Sequence, residues 1–307
     1  MRNADRPSGA APYYADAAER DGAAPVDPAY ARRNAVSEPL LYERDGHVGI
    51  ITFNRPDKLN ALTPSMMQQL DRLLDQINVD DEIRCLVLMG AGDRAFSVGF
   101  DLDGLEMPYA TPDVTSAVDY NFRVIMKIWQ LRIPAIAAVN GYAVAAGSNL
   151  AMICDITIAS DRARFGEPEI RHGALSPLLL LPWFNANPKM IHYLYYSGDT
   201  ITAAEARELG MIARVVPHDA LRDAALAMAR RIALVPPYAV RMTKDSIRRT
   251  YEAMGFSNAQ YQHKANDTLV LGSVGIPEKD YLFGLMQQGD MRAFLEARDG
   301  PFRRTER

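Results

Sequence analysis

The sequence predicts an α/β protein with a helical C-terminal subdomain, on three observations. Short β-rich stretches alternate with helix-patterned ones between His47 and Val216. From Asp219 to Arg298 the pattern is almost wholly amphipathic helix. The composition, 48% hydrophobic and 23% charged over 307 residues, is that of a chain able to bury a substantial core. With 34 basic against 38 acidic residues the net charge is −4, so no nucleic-acid partner is expected. The apolar runs Leu178–Leu181 and Ala135–Val139 are far shorter than the ~20 residues of a membrane helix, and no membrane association is expected. Two cysteines, Cys85 and Cys154, both in strand-like runs, are too few for a disulfide framework or a thiolate metal site; a reducing, cytoplasmic location follows.

Residues 1–38, rich in Ala, Pro, Asp and Arg, show no apolar periodicity and read as a loosely packed lead without the apolar region of a secretory signal. The core then runs over 39–235 and the helical subdomain over 236–307. His47–Phe53 is a strand, Asn54-Arg55-Pro56-Asp57 a turn, and Thr63-Pro64 the start of a helix carrying Met66, Leu70, Leu73, Leu74 and Ile77 on one face. Strands follow at Arg84–Met89 and Ala95–Phe100, a helix at Val114–Leu131, and a strand at Ala135–Val139 introduced by Pro134. A small-residue run after Asn140-Gly141 leads into a helix near Ala146, then to a strand at Cys154–Ala159. Thr202-Ala203-Ala204-Glu205 has the capping-box pattern, Gly210 stops that helix, and Ile212–Val216 is the last strand. The remaining helices break at Pro236-Pro237, Gly255 and Gly275-Ile276-Pro277.

The familiar chemical motifs are missing. Gly90-x-Gly92 lacks the third glycine of a dinucleotide loop, no phosphate loop or Gly-x-Ser-x-Gly elbow occurs, and the five histidines have no metal-ligand spacing, so no metal is expected. Two loops remain. Ser97-Val98-Gly99-Phe100-Asp101-Leu102 runs from a strand into a glycine turn, and Asn140-Gly141-Tyr142-Ala143-Val144-Ala145-Ala146-Gly147-Ser148-Asn149 leads with small side chains into a helix opening near Ala146. Backbone N–H groups can project from both and together polarise a carbonyl; close helix packing alone also accounts for the second loop. Gly166-Glu167-Pro168-Glu169-Ile170 fits either a surface turn or a general base, and Pro168 bars a regular helix there.

These stretches, taken in order, resemble the crotonase (enoyl-CoA hydratase/isomerase) superfamily: Asn54-Arg55-Pro56 with Leu59-Asn60-Ala61-Leu62, Ala95 to Leu102, Pro134 to Tyr142, Cys154-Asp155-Ile156, Phe165-Gly166-Glu167-Pro168-Glu169, and Gly198 through Gly210. The resemblance spans about Leu40 to Arg304 and implies a spiral of β-β-α repeats, a helical C-terminal part that builds homotrimers or hexamers, and acyl-CoA thioester substrates. It implies no cofactor beyond the coenzyme A moiety of the substrate. It places oxyanion donors at the backbone N–H of Phe100 and Ala146, each worth about 3 kcal/mol or more in comparable sites. Lys58, Leu59, Ala61, Ser97 and Leu102 match stretches that contact coenzyme A, and Arg298 belongs to a basic tail that reads as surface charge or as a phosphate contact.

One departure bears on mechanism. Family hydratases use two glutamates; here the first position is Asn149, whose amide is no general base, and the second is Glu169. Pro177 stands where hydratases hold the attacking water with a backbone donor. The expectation is an enolate-forming enzyme with Glu169 as its sole carboxylate, shifting a proton as an isomerase. The alternatives are a hydratase using Glu169 with Asn149 or His172, an acyl-CoA hydrolase or decarboxylase, and a non-catalytic acyl-CoA binder. Leu178–Leu181, Trp183 and Phe184 fit an acyl pocket or plain core packing.

Overall fold

The computed structural model describes residues 38–102, 111–184 and 187–305. The expected lead over 1–38 therefore lies outside the described residues, apart from Glu38.

An antiparallel pair, β1 (Leu40–Asp45) and β2 (Val48–Phe53), opens the fold and is followed by α1 (Pro64–Val79). Thr63 caps that helix by accepting the Met66 N–H at 3.2 Å, with Pro64 in the first turn, where its missing N–H costs nothing. The chain then repeats one path: a long strand, a short strand, a helix. β3 (Cys85–Gly90), β4 (Ala95–Ser97) and α2 (Thr111–Gln130) make one turn; β5 (Ala135–Val139), β6 (Tyr142–Val144) and α3 (Ala146–Ile153) make the next. β7 (Ile156–Ser160) and β8 (Arg164–Gly166) begin a third, which leads through α4 (Leu181–Phe184) and α5 (Pro188–Ser197) to β9 (Thr200–Thr202), α6 (Ala203–Glu208) and β10 (Arg214–Val216). Long strands collect in a sheet of order β1-β2-β3-β5-β7-β10, parallel from β2 onward; short ones form β4-β6-β8-β9. Each turn advances one position in both sheets, which is the β-β-α spiral.

The large sheet is buried on both faces, so its strands are continuous apolar runs rather than alternating ones. Ile51, Phe53, Leu86, Leu88, Ala137 and Val139 face the main core, while Val48, Ile50, Cys85, Val87, Ile136 and Ile158 face α7 (Leu221–Ala233) through Leu221, Ala225 and Ala229. Both cysteines are free and buried, and burial pushes the Cys85 thiol up to about 12. The Thr202–Glu205 capping box forms as the sequence predicts.

Four helices follow: α8 (Pro237–Ala253), α9 (Phe256–Gly272), α10 (Pro277–Gln287) and α11 (Met291–Thr305). Buried Lys244 ties α8 to the core, its Nζ donating at 2.8 Å to both the Ile133 carbonyl and Asp155 Oδ2; Asp155 also accepts the Ala135 N–H at 2.7 Å. Among the described residues no helix is long and apolar enough to cross a membrane.

Two local expectations are corrected. The strand expected over Ala95–Phe100 ends at Ser97, because Gly99 turns to φ 89°; Phe100 survives only as an isolated bridge to Leu62. Leu178, Leu180 and Leu181 are core residues, and Trp183 and Phe184 stack around Phe256, so this set packs the interior.

Candidate active site

The first motif folds around a buried asparagine. Asn60, itself at φ 56°, donates through Nδ2 to the carbonyls of Ala91 (3.0 Å) and Ala95 (2.7 Å) and accepts the Arg55 N–H at 2.9 Å. Arg55 in turn pairs with Asp101 at 2.7 Å and donates to the Ala61 carbonyl. These bonds hold the short turn Pro56–Lys58 against the loop after β4. Lys58, Leu59, Ala61 and Leu102 consequently line one wall of a cavity of about 680 Å³. Ser97 does not line it: the buried hydroxyl donates to the Asn60 carbonyl at 2.8 Å and accepts the Gly99 N–H at 3.2 Å, shaping the turn from within.

Gly99 brings the two backbone-donor loops together. A Cβ there would sit 2.7 Å from Ala145 Cβ and 3.1 Å from the Ala146 nitrogen, so the loop after β4 lies directly on the start of α3. The Leu62 N–H donates to the Gly99 carbonyl and the Leu62 carbonyl accepts the Asp101 N–H; the intervening Phe100 N–H therefore points to the opposite side of its strand. Ala146 is the first residue of α3, so its N–H has no acceptor within the helix. Ala145 before it takes a left-handed φ of 56°, a strained conformation for a non-glycine residue, with its N–H fixed on the Gly166 carbonyl at 3.0 Å. Phe100 and Ala145 both line the cavity.

Both glutamates of the Glu167-Pro168-Glu169 stretch are buried, which excludes the surface-turn reading. A 3-10 turn, Pro168–His172, sends them in different directions. Glu167 points away from the cavity into a polar knot: it accepts from Ser176 Oγ at 2.7 Å and from Asn149 Nδ2 at 3.2 Å. The Asn149 carbonyl oxygen accepts the Leu178 N–H at 2.7 Å, so this amide is fully engaged and does not line the cavity. Burial, reinforced by the Glu169 charge, holds the Glu167 carboxyl well above the usual carboxylate range.

Glu169 lines the cavity, and neither of its buried carboxylate oxygens has a hydrogen-bond partner among the described residues. Burial pushes its pKa up to about 8, with the Asp267 charge adding to the rise and its own backbone N–H and Arg298 opposing it. His172 lies one turn on, between Phe283 and Phe294; burial first and Arg298 second bring its pKa down to about 3, leaving the ring neutral.

The opposite wall comes from the chain's own C-terminal helices: Asp267 and Leu271 of α9, Phe283 of α10, Met291, Leu295 and Arg298 of α11. Arg298 is thus a cavity residue, held by bidentate contacts of 2.9 and 2.8 Å to Asp299. Asp267 carries no motif signal in the sequence; it lines the cavity together with Glu169, Asp57 and Asp101.

The chain belongs to the enoyl-CoA hydratase/isomerase family, whose model matches residues 43–303. A "probable enoyl-CoA hydratase" of Mycobacterium tuberculosis is 35% identical over 235 residues, covering 74% of this chain and 88% of that one. A short-chain-enoyl-CoA hydratase of Clostridium acetobutylicum is 32% identical over 218 residues, covering 68% and 81%. The crystal structure of an enoyl-CoA hydratase/isomerase from Xanthobacter autotrophicus superposes with a TM-score of 0.81 at 34% identity, over 86% of this chain and 98% of its own.

Proposed function

We propose that the protein is an acyl-CoA enzyme that removes and returns a proton next to a thioester carbonyl, acting as an enoyl-CoA isomerase. The carrying observation is Glu169: a buried carboxylate whose oxygens have no hydrogen-bond partner among the described residues, on a residue that lines the same cavity as Phe100 and Ala145. In this reading the N–H groups of Phe100 and Ala146 donate to the enolate oxygen, each contributing about 3 kcal/mol at the transition state. Glu169 is the base; its raised pKa makes it strong enough to take an α-proton once ionised. Lys58, Leu59, Ala61 and Leu102 hold the coenzyme A arm at the cavity mouth. No other cofactor is required.

Asn149 takes no direct part. With its amide committed to Leu178, Ser176 and Glu167 it has nothing left with which to orient water. Neutral His172 has no charge to offer either. Hydration stands as the second reading because the relatives bear hydratase names. A panel of 2-enoyl- and 3-enoyl-CoA thioesters, followed by mass spectrometry, separates the possibilities. Double-bond migration without mass change supports isomerisation; gain of water or loss of coenzyme A as the main outcome contradicts it.

A further inference from the structure

Of the four carboxylate residues that line the cavity, Asp57, Asp101, Glu169 and Asp267, two are buried and come from distant parts of the chain: Glu169 on the turn after β8 and Asp267 on α9. Asp267 is 5% exposed and its Oδ1 has no hydrogen-bond partner among the described residues. Its placement is held by its neighbours on the same helix face. One turn and two turns earlier, His263 Nε2 donates to the Ser176 carbonyl at 2.7 Å, and Gln260 exchanges two 2.9 Å bonds with the backbone of Leu179. Gln260, His263 and Asp267 therefore form one stripe that locks α9 onto the loop following Glu169. The first two are satisfied by that loop. The third accepts a backbone hydrogen bond from Leu175 of the same loop and keeps its other carboxylate oxygen, Oδ1, buried and unpaired at the cavity wall.

We propose, resting on the isomerase reading, that Asp267 is the second acid/base: Glu169 takes the proton from one carbon of the enoyl thioester and Asp267 delivers a proton to the other. With a 3-enoyl thioester, the Glu169 carboxylate breaks the α C–H bond, and the electron pair spreads into a dienolate whose oxygen sits on the two backbone donors. The Asp267 O–H then breaks as a C–H bond forms at the γ-carbon, leaving the double bond between α and β and the carbonyl restored. Glu169 ends protonated and Asp267 ionised; proton exchange with water resets the pair, with no redox change. Burial pushes Asp267 up to about 7 and Glu169 to about 8, so near neutrality the pair holds one proton, more of it on Glu169; the working form, with that proton on Asp267 and Glu169 ionised, is the minor arrangement of the same single-proton state. The other ionisable groups around Glu169 are Arg298, His172, which is neutral, Tyr195, whose hydroxyl is held well above its usual range by burial, and Glu167, which does not line the cavity.

The test is isotopic. A 3-enoyl-CoA deuterated at the α-carbon is isomerised in ordinary water by the wild type, Asp267→Asn and Glu169→Gln. Two carriers lose the label to solvent, so wild-type product should carry little deuterium at the γ-carbon. Asp267→Asn should turn over ~30-fold or more slowly with KM little changed, lose one ionisation from its pH profile, and return more deuterium to the γ-carbon through Glu169 alone. Substantial label transfer in the wild type overturns the inference without any variant. So does an Asp267→Asn protein with unchanged kcat and pH profile. Retained turnover in Glu169→Gln, or no isomerisation by the wild type, overturns the isomerase reading itself.

Discussion

The carboxamide oxygen of Asn149 accepts the backbone N–H of Leu178 at 2.7 Å, tying the start of α3 to the loop beyond Glu169. The residue at the first glutamate position of the family's hydratases is here a structural fastener. Through Ser176 it also binds Glu167, so three buried polar side chains satisfy one another behind the cavity wall.

Asn149→Glu should therefore not create a hydratase. The substitution removes the acceptor geometry for Leu178 and sets a second carboxylate against Glu167 in a site without solvent. The expected cost is on the order of 3 kcal/mol or more, read as a large fall in Tm or loss of soluble protein. A stable variant with raised hydration would show that the knot is dispensable.

Glu169→Gln preserves volume and removes proton transfer. Turnover should fall ~100-fold or more while coenzyme A thioester binding, measured by calorimetry, persists.

The raised pKa of Glu169 sets a direction for both activity and stability. As a base it works ionised, so Glu169 should set an ascending limb of the turnover–pH profile with a value near 8, while the need for a protonated Asp267 should add a descending limb that Asp267→Asn removes. For stability, the unfolded carboxyl releases its proton near 4.5 while the folded one keeps it to about 8. The contribution is full below the lower value and is lost as pH rises through the upper one. Glu167 and Asp267 are raised too and act with the same sign. Thermal melts should show Tm declining across this window, and Glu169→Gln should flatten part of the decline.

Trimer assembly is our expectation from the family resemblance, and the C-terminal surface fits it: Leu234, Tyr238 and Met254 are 85%, 74% and 65% exposed. Light scattering should report three subunits or a multiple; a monomeric mass at micromolar concentration contradicts this.

Much of the scaffold was legible in the sequence because its signals are local. Thr63-Pro64, the Thr202–Glu205 box and the breaks at Pro236-Pro237 and Gly255 each act within a few residues, and each holds. The edge strand Leu40–Asp45 escaped notice because half of it faces outward and carries charge. At the site, Lys58, Leu59, Ala61, Phe100, Leu102 and Glu169 line one cavity, whereas Ser97 and Asn149 turn inward to hold the backbone. Asp267 could not be found from its surroundings in sequence. Its meaning comes from α9 docking on the loop after Glu169, a contact fixed by Gln260 and His263 rather than by any motif.

The central claim, that Glu169 moves a proton next to a thioester carbonyl, meets its most direct test in deuterated water. Wild type and Glu169→Gln are each incubated with a 3-enoyl-CoA, and label incorporation and double-bond position are followed together by mass spectrometry and NMR. The account predicts deuterium entering product at the wild-type rate of isomerisation and a loss of both signals by ~100-fold in the variant. Equal isomerisation and labelling by the two proteins would contradict it.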